Sequence, residues 1–424
     1  MDFLLDIDFS HLIRRAKDSA LYFGAAIIAL PISVITSPLF AKNLTAYDFA
    51  AIGFFTALMS LFLPIITLSF YNFYMLDYFK RDEAERKNIL RSLVSFLLFF
   101  NILVISLGYL ILHYYLKFTG SQFNAFPLGL IVLLSVVATL GRSFWLLRLR
   151  FERKSTQYFV LSVIFSLLNV ALGILLVVYY QMGAVGKLIP ALLIDFIIFI
   201  IFFMKFIQKI SIDFEIIKKA FLFSLPIILA ALLNLPVLTL DKIILERVRN
   251  ITEFAYYNIA FGFASYVYTF INAIAMTIEP DIYKFIGEKN KRKLMQIFFL
   301  LLATVLFTDS AFIIFSEPVI HFLTAGRYMG SVKYANLLVI SQSCLALVYF
   351  LGSVLTALKL TRIEFVVMVI VALISIVSLV SLISSFAYFG AIYSKLLTYL
   401  IWFGLLALAI VFRHRKFMQP FYVR

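Results

Sequence analysis

Cysteine is all but missing from this chain. Cys344 stands alone in an apolar run, which excludes a disulfide framework and a cysteine-based metal site. Histidine is nearly as scarce. His11, His113, His321 and His414 lie at the ends of apolar runs or between them, and none pairs with a carboxylate at metal-ligand spacing. No glycine-rich phosphate loop occurs, so nucleotide hydrolysis is not encoded. A membrane glycosyl polymerase or acyltransferase would be expected to have a larger outer loop or an embedded acid/base group, and the sequence shows no constellation of that kind. The chain is therefore expected not to be an enzyme, and to hold no cofactor and no metal. Charge is thin as well: 14% of the residues are charged, clustered between long apolar runs.

Those runs are what the chain has in plenty. It is 63% hydrophobic, against about 45–50% for soluble domains. Twelve segments, each long enough at about 20 residues to cross a bilayer, centre near residues 29, 62, 103, 137, 167, 194, 231, 264, 305, 345, 374 and 400. The expected fold is an all-α polytopic membrane protein. No cleavable signal is evident, because the first apolar segment is long enough to stay in the bilayer. Ahead of it, Met1–Asp18 carries Leu4, Leu5, Phe9, Leu12 and Ile13 beside Arg14, Arg15 and Lys17, the pattern of a helix lying on the membrane surface.

Lysine and arginine set the orientation. With both termini in the cytoplasm, 28 of the 37 fall on that side, 8 on the other, and Lys395 lies within a span. That bias accounts for most of the +15 net charge. Its expected partner is the anionic lipid of the inner leaflet rather than nucleic acid.

The stretch Phe221–Ala260 organises the rest. Shifted back by 205 residues, Leu229–Ile259 meets Gly24–Phe54 without a gap. Ala25, Ala26, Leu30 and Pro31 fall on Ala230, Ala231, Leu235 and Pro236, and Asp48-Phe49-Ala50 falls on Glu253-Phe254-Ala255. Six of the 31 pairs are identical. An ungapped run with a matched proline points to duplication. The expected halves are residues 1–205, with six spans after the surface helix, and 206–424, with six more. Six is even, so both halves enter from one side, and the repeat axis is expected to run along the membrane normal. A hinge is expected at the crossing Phe206–Lys219. Pro31 and Pro236 each remove a backbone hydrogen bond, and matched bends suit two lobes that rock.

Polar groups inside the spans carry the remaining information, since a charge at the bilayer centre costs about 2.5–3.5 kcal/mol on the lenient scale. Asp195 is the deepest, Asp309 lies further out in the ninth span, Lys395 is two to three turns into the twelfth, and Arg142 is near the inner third of the fourth. Each is open to two readings: a functional group facing the interior, or an interhelical pair or snorkelling side chain. The second half is the more polar copy. Asn234, Asp241, Lys242 and Asn258 stand where the first half has Ala29, Thr36, Ser37 and Gly53. Asp241 and Lys242 are adjacent and cannot share a helix face, so separate partners are expected. Tyr256, Tyr257, Tyr266 and Tyr268 on the eighth span offer rings either to packing or to a sugar.

Certain phrases resemble a known group. LTAYDFAAIGFF follows the first span, SLPIILAALLNLPVLTLDKIIL forms the seventh, and NITEFAYYNIA leads into the eighth. Together with the length and the two six-span halves, they resemble the Wzx-type polysaccharide flippases of the multidrug/oligosaccharidyl-lipid/polysaccharide exporter superfamily. Two departures stand out: Ala50 or Ala51 where glycine is usual, and Asp241-Lys242 where an Asp-Arg pair is usual. The resemblance implies an undecaprenyl-pyrophosphate-linked oligosaccharide, flipped from the inner to the outer leaflet of a bacterial inner membrane. It also implies a polysaccharide polymerase and a chain-length regulator as partners. Candidate substrate contacts are Arg142, Arg148, Arg150, Asn234, Asp241, Lys242 and Lys395. At least two of Arg142, Arg148, Lys242 and Lys395 are expected to face a cavity where the halves meet. Asp195 and Asp309 are the candidates for a proton or cation site. The rival reading is an ion-coupled multidrug exporter of the same superfamily, which calls for a carboxylate-rich rather than a cationic cavity.

Overall fold

The computed structural model describes residues 20–25, 28–76 and 78–417, and every regular element among them is helical. The surface helix expected at Met1–Asp18 lies outside the described residues. In order, the longer helices are α1 (Ala29–Asn43), α2 (Ala46–Thr67), α3 (Phe70–Met75), α4 (Glu83–Phe118), α5 (Leu128–Phe151), α6 (Ser155–Ile174) and α7 (Gly183–Phe202). They continue as α8 (Phe214–Leu238), α9 (Leu240–Leu245), α10 (Ile251–Gly287), α11 (Lys291–Thr324), α12 (Val332–Ala357) and α13 (Thr361–Phe417).

Among the described residues eleven helices are long and apolar enough to span, and each expected centre falls in one of them. The last, Thr361–Phe412, is 52 residues long. Straight, it would reach about 78 Å at 1.5 Å per residue, far beyond a hydrocarbon core of about 30 Å. It does not run straight. Ala387 leaves helical geometry at φ 49° and ψ −122°, and Ser378 Oγ lies 2.6 Å from Ser394 Oγ. The two arms fold back on each other and supply two spans, which makes twelve.

The helix starts follow local chemistry. Thr45 and Asp48 form a reciprocal cap on α2: Thr45 N–H donates to Asp48 Oδ2 at 2.8 Å, and Asp48 N–H donates to Thr45 Oγ1 at 3.2 Å. At the positions 205 further on, Asn250 Oδ1 accepts from Glu253 N–H at 3.1 Å and caps α10. Ala46 and Ile251 therefore begin their helices at the same repeat position. Asp82 and Asn290 cap α4 and α11 in the same way.

The outer surface is apolar, as a lipid-facing protein requires. On α4, Ile102, Leu103 and Ile111 are more than half exposed. The chain packs as two compact units. One comprises residues 1–44 and 62–228, the other 45–61 and 229–424. This division by contact does not coincide with the 1–205 and 206–424 division by repeat: residues 45–61 and 206–228 change sides. The second unit has a dense core in which Val237, Ile271, Leu301, Leu355 and Tyr399 are almost fully buried. Lipid tails are as apolar as leucine, so close packing rather than flight from water holds such a core.

The crossing expected to hinge is tied down within the first unit. Arg91 Nε donates to Ile207 O at 3.1 Å, and the backbone N–H groups of Ser211 and Asp213 donate to Ser95 Oγ and Ser92 Oγ at 3.2 Å each. The α4 serines satisfy backbone groups that an unwound segment would otherwise leave unpaired.

Candidate functional site

In the first unit, α5 and α7 come so close that a Cβ on Gly141 would lie 2.6 Å from Phe199 Cα. The next residue, Arg142, then reaches Asp195 with both prongs of its guanidinium. Nε donates to Oδ1 at 2.6 Å and Nη2 to Oδ2 at 3.1 Å. The guanidinium also lies over Phe165, 3.9 Å from the ring centre. Asp195 is 1% exposed and faces protein, as its depth requires. A bidentate charge-assisted pair of this kind leaves neither partner with spare charge.

At the inner end of α5, Arg148 bonds Glu152 and lies 4.4 Å from the Phe206 ring centre. Lys154 bonds the other Glu152 oxygen at 2.6 Å. Burial pushes the Glu152 carboxyl up, but the lysine and arginine outweigh it and hold it below the usual carboxylate range. Arg150 is exposed.

The second unit holds a break. Thr239, at φ −136°, interrupts the seventh span between α8 and α9, three residues after Pro236. In an unbroken helix the carbonyls of residues 236, 237 and 238 would each accept from the N–H four residues on. Here three side chains of α13 take them. Ser375 Oγ donates to Pro236 O at 2.9 Å, Tyr399 Oη to Val237 O at 3.4 Å, and Lys395 Nζ to Leu238 O at 3.0 Å. Lys395 Nζ also lies 3.0 Å from Asp241 Oδ1, in an ion pair that lacks hydrogen-bond alignment. Tyr257 Oη donates to the other Asp241 oxygen at 2.5 Å. Lys242 turns away and rests 3.9 Å from the Phe261 ring centre. Asp241 and Lys242 thus have separate partners. Asn234, one turn before the break, bonds Ala230 O through Nδ2 at 3.3 Å, while its buried Oδ1 has no hydrogen-bond partner.

Asp309 on α11 is 8% exposed and accepts a 2.6 Å hydrogen bond from Ser343 Oγ on α12. No cation pairs with it among the described residues. Of the four cations expected to face a cavity, Arg142, Arg148 and Lys395 each have a carboxylate partner, and Lys242 has an aromatic ring.

Several groups escaped the sequence reading. Ser375, Tyr399 and Tyr257 look like ordinary span residues, and no local signal marks them as partners of a helix broken more than a hundred residues away in sequence for the first two. Lys187 sits with its Nζ 3.3 Å from the Phe40 ring centre. Its place four residues into an apolar span was the available signal.

The described chain is thus a polytopic helical bundle with a broken span and buried charges. Solved structures share the fold. The chain is similar to lipid II flippase MurJ in an inward closed conformation, with a TM-score of 0.69, 14% identity, and coverage of 93% of this chain and 87% of that one. It is also similar to an inward-facing multidrug resistance MATE family transporter of the MOP superfamily, at TM-score 0.64 and 13% identity over 93% and 96% of the two chains. A mutant of the Vibrio cholerae MATE transporter VcmN gives a TM-score of 0.55 and 15% identity over 96% and 99%. No curated protein sequence matches. The chain belongs to the polysaccharide biosynthesis protein family, whose model matches residues 16–286.

Proposed function

We propose that this protein flips an undecaprenyl-pyrophosphate-linked oligosaccharide from the inner to the outer leaflet of a bacterial inner membrane by alternating access. Both termini would be cytoplasmic, and the glycan would pass to a polymerase working with a chain-length regulator. Family membership supports the pathway. The observation that carries the substrate class is the sign of the buried charge at the helix break. Lys242 and Lys395 both lie by the Phe261 ring with one carboxylate, Asp241, beside them, so the cluster carries a net positive charge. A pyrophosphate leaving water needs charge-assisted donors in exchange. Lys242 is the cation with capacity to spare, since its contact is a ring that a phosphate can replace. Arg150 at the inner rim and Asn234 beside the break are the further contacts we assign. Arg142, Arg148, Lys395 and Asp241 hold one another or their neighbours, and act on substrate only if those pairs open. We assign the coupling ion to Asp309, a carboxylate with a serine partner and no cation among the described residues, rather than to Asp195, which Arg142 neutralises.

Asp309 also favours the second reading, an ion-coupled multidrug exporter, and the MATE structures support it equally. The test uses the purified protein in proteoliposomes with a fluorescent undecaprenyl-pyrophosphate oligosaccharide in one leaflet. Flipping should occur, and Lys242→Gln should slow it by about tenfold, the loss of roughly 1.4 kcal/mol of phosphate interaction. No flipping, together with ion-driven movement of cationic dyes, rejects the flippase in favour of the exporter.

A further inference from the structure

The geometry of the break between α8 and α9 points to an inference that does not depend on what is transported. We propose that the Lys395 ammonium is a tethered cation occupying the seat a monovalent metal ion would take, so that this seat works without dissolved sodium.

The surroundings are those of a cation site. The C-terminal end of α8 brings the negative end of its dipole to the break, and its last freed carbonyl, Leu238 O, meets the ammonium. Broken helices inside membranes coordinate cations through such unwound carbonyls and half-helix ends. Asp241, at the start of α9, adds a full negative charge and is itself 0% exposed. Thr398 Oγ1, one turn beyond Lys395 on α13, is a buried oxygen with no hydrogen-bond partner among the described residues. The Leu238 carbonyl and the Asp241 carboxylate are hard oxygens of the kind that suits an alkali cation.

The seat is filled from within. Lys395 is 3% exposed, and its Nζ stands 3.0 Å from both Leu238 O and Asp241 Oδ1. An ammonium offers three donors and no acceptor, so it can replace a metal ion among oxygen ligands. The Phe261 ring, with its centre 5.4 Å from Nζ, closes another side. The tether removes the entropy cost of capturing an ion and makes the cation permanent. Lys395 is thus a positioning residue that holds the broken helix in shape, rather than a residue bound to come and go with substrate.

The test compares thermal unfolding of the purified full-length protein in sodium chloride and in choline chloride, read by intrinsic tryptophan fluorescence. Two variants open the seat: Lys395→Ser, and Lys395→Ser combined with Lys242→Gln so that the neighbouring ammonium cannot move in. At least one of them should gain a sodium-dependent rise in Tm, on the order of 3 °C beyond that of the wild type. Adding Asp241→Asn should abolish the gain. Lys395→Arg, which keeps a tethered cation, should respond to sodium as the wild type does. The proposal is overturned if both opened variants respond to sodium no more than the wild type, if neither folds even in sodium, or if the gain survives Asp241→Asn.

Discussion

Arg142 and Asp195 illustrate how buried charges behave in this chain. Each alone would be costly in the bilayer, and together they form a neutral, directed pair. Arg142→Gln leaves Asp195 buried and unmatched, and should cost about 3–5 kcal/mol in thermal unfolding in detergent. An Arg142→Leu, Asp195→Leu double variant should recover most of that loss, because it removes both desolvation costs at once. Asp309 behaves differently, having a serine and, among the described residues, no cation as its partner. Asp309→Asn keeps that hydrogen bond, so it should unfold within about 1 kcal/mol of the wild type. Transport should nonetheless lose its dependence on the proton or sodium gradient, and unchanged ion dependence in proteoliposomes would remove Asp309 from the coupling role. Glu152 provides a pH signature outside the spans. Its folded pKa is depressed by Lys154 and Arg148 despite burial. Its contribution to stability is therefore present above the unfolded carboxylate pKa and lost as pH falls through the lower folded value. Glu152→Gln should be mildly destabilising at neutral pH and indistinguishable from wild type in acid.

The elements show where a helix can be interrupted in a membrane. The break at Thr239 is tolerated because Ser375, Tyr399 and Lys395 supply donors for three freed carbonyls. The fold-back in α13 is tolerated because the Ser378 and Ser394 hydroxyls meet across it. Ala387 takes the strain of that turn, in a region of backbone space that a side chain disfavours. Ala387→Gly should therefore raise the unfolding free energy by about 1 kcal/mol, even though glycine normally loosens a helix. Thermal unfolding in detergent checks it, and a lower Tm for the glycine variant would show that the turn is not strained.

At the scale of the whole molecule, two positions that the proposed repeat pairs lie in contact. Gly53 and Asn258, 205 positions apart, touch: a Cβ at Gly53 would lie 2.0 Å from Asn258 Cγ. The pair must share space, one glycine to one asparagine. Gly53→Ala should cost about 1–3 kcal/mol by overpacking, and Asn258→Ala in the same chain should return most of it. A coupling near zero in that double-mutant cycle would separate the two positions energetically. The orientation proposal is checked by fluorescent-protein fusions. Fusions at residues 80–91 and 284–293, in the lysine- and arginine-rich connections, should fluoresce in the cytoplasm.

The spans and their number were legible in the amino-acid sequence because they depend on a local matter, apolar length against bilayer thickness. Pro236 announced a bend, and the depth of Asp195 announced a protein-facing carboxylate. What the sequence could not determine was partnership. Nothing near residue 142 names Asp195, and nothing near residue 239 names Ser375, Lys395 and Tyr399. Such choices are made by helices brought side by side through packing, where donors and acceptors far apart in the chain must satisfy each other because no water is there to do it. Tertiary structure therefore decided that Lys395 closes a broken helix, that Arg142 is spent on Asp195, and that Asp309 is the buried carboxylate left without a cation among the described residues.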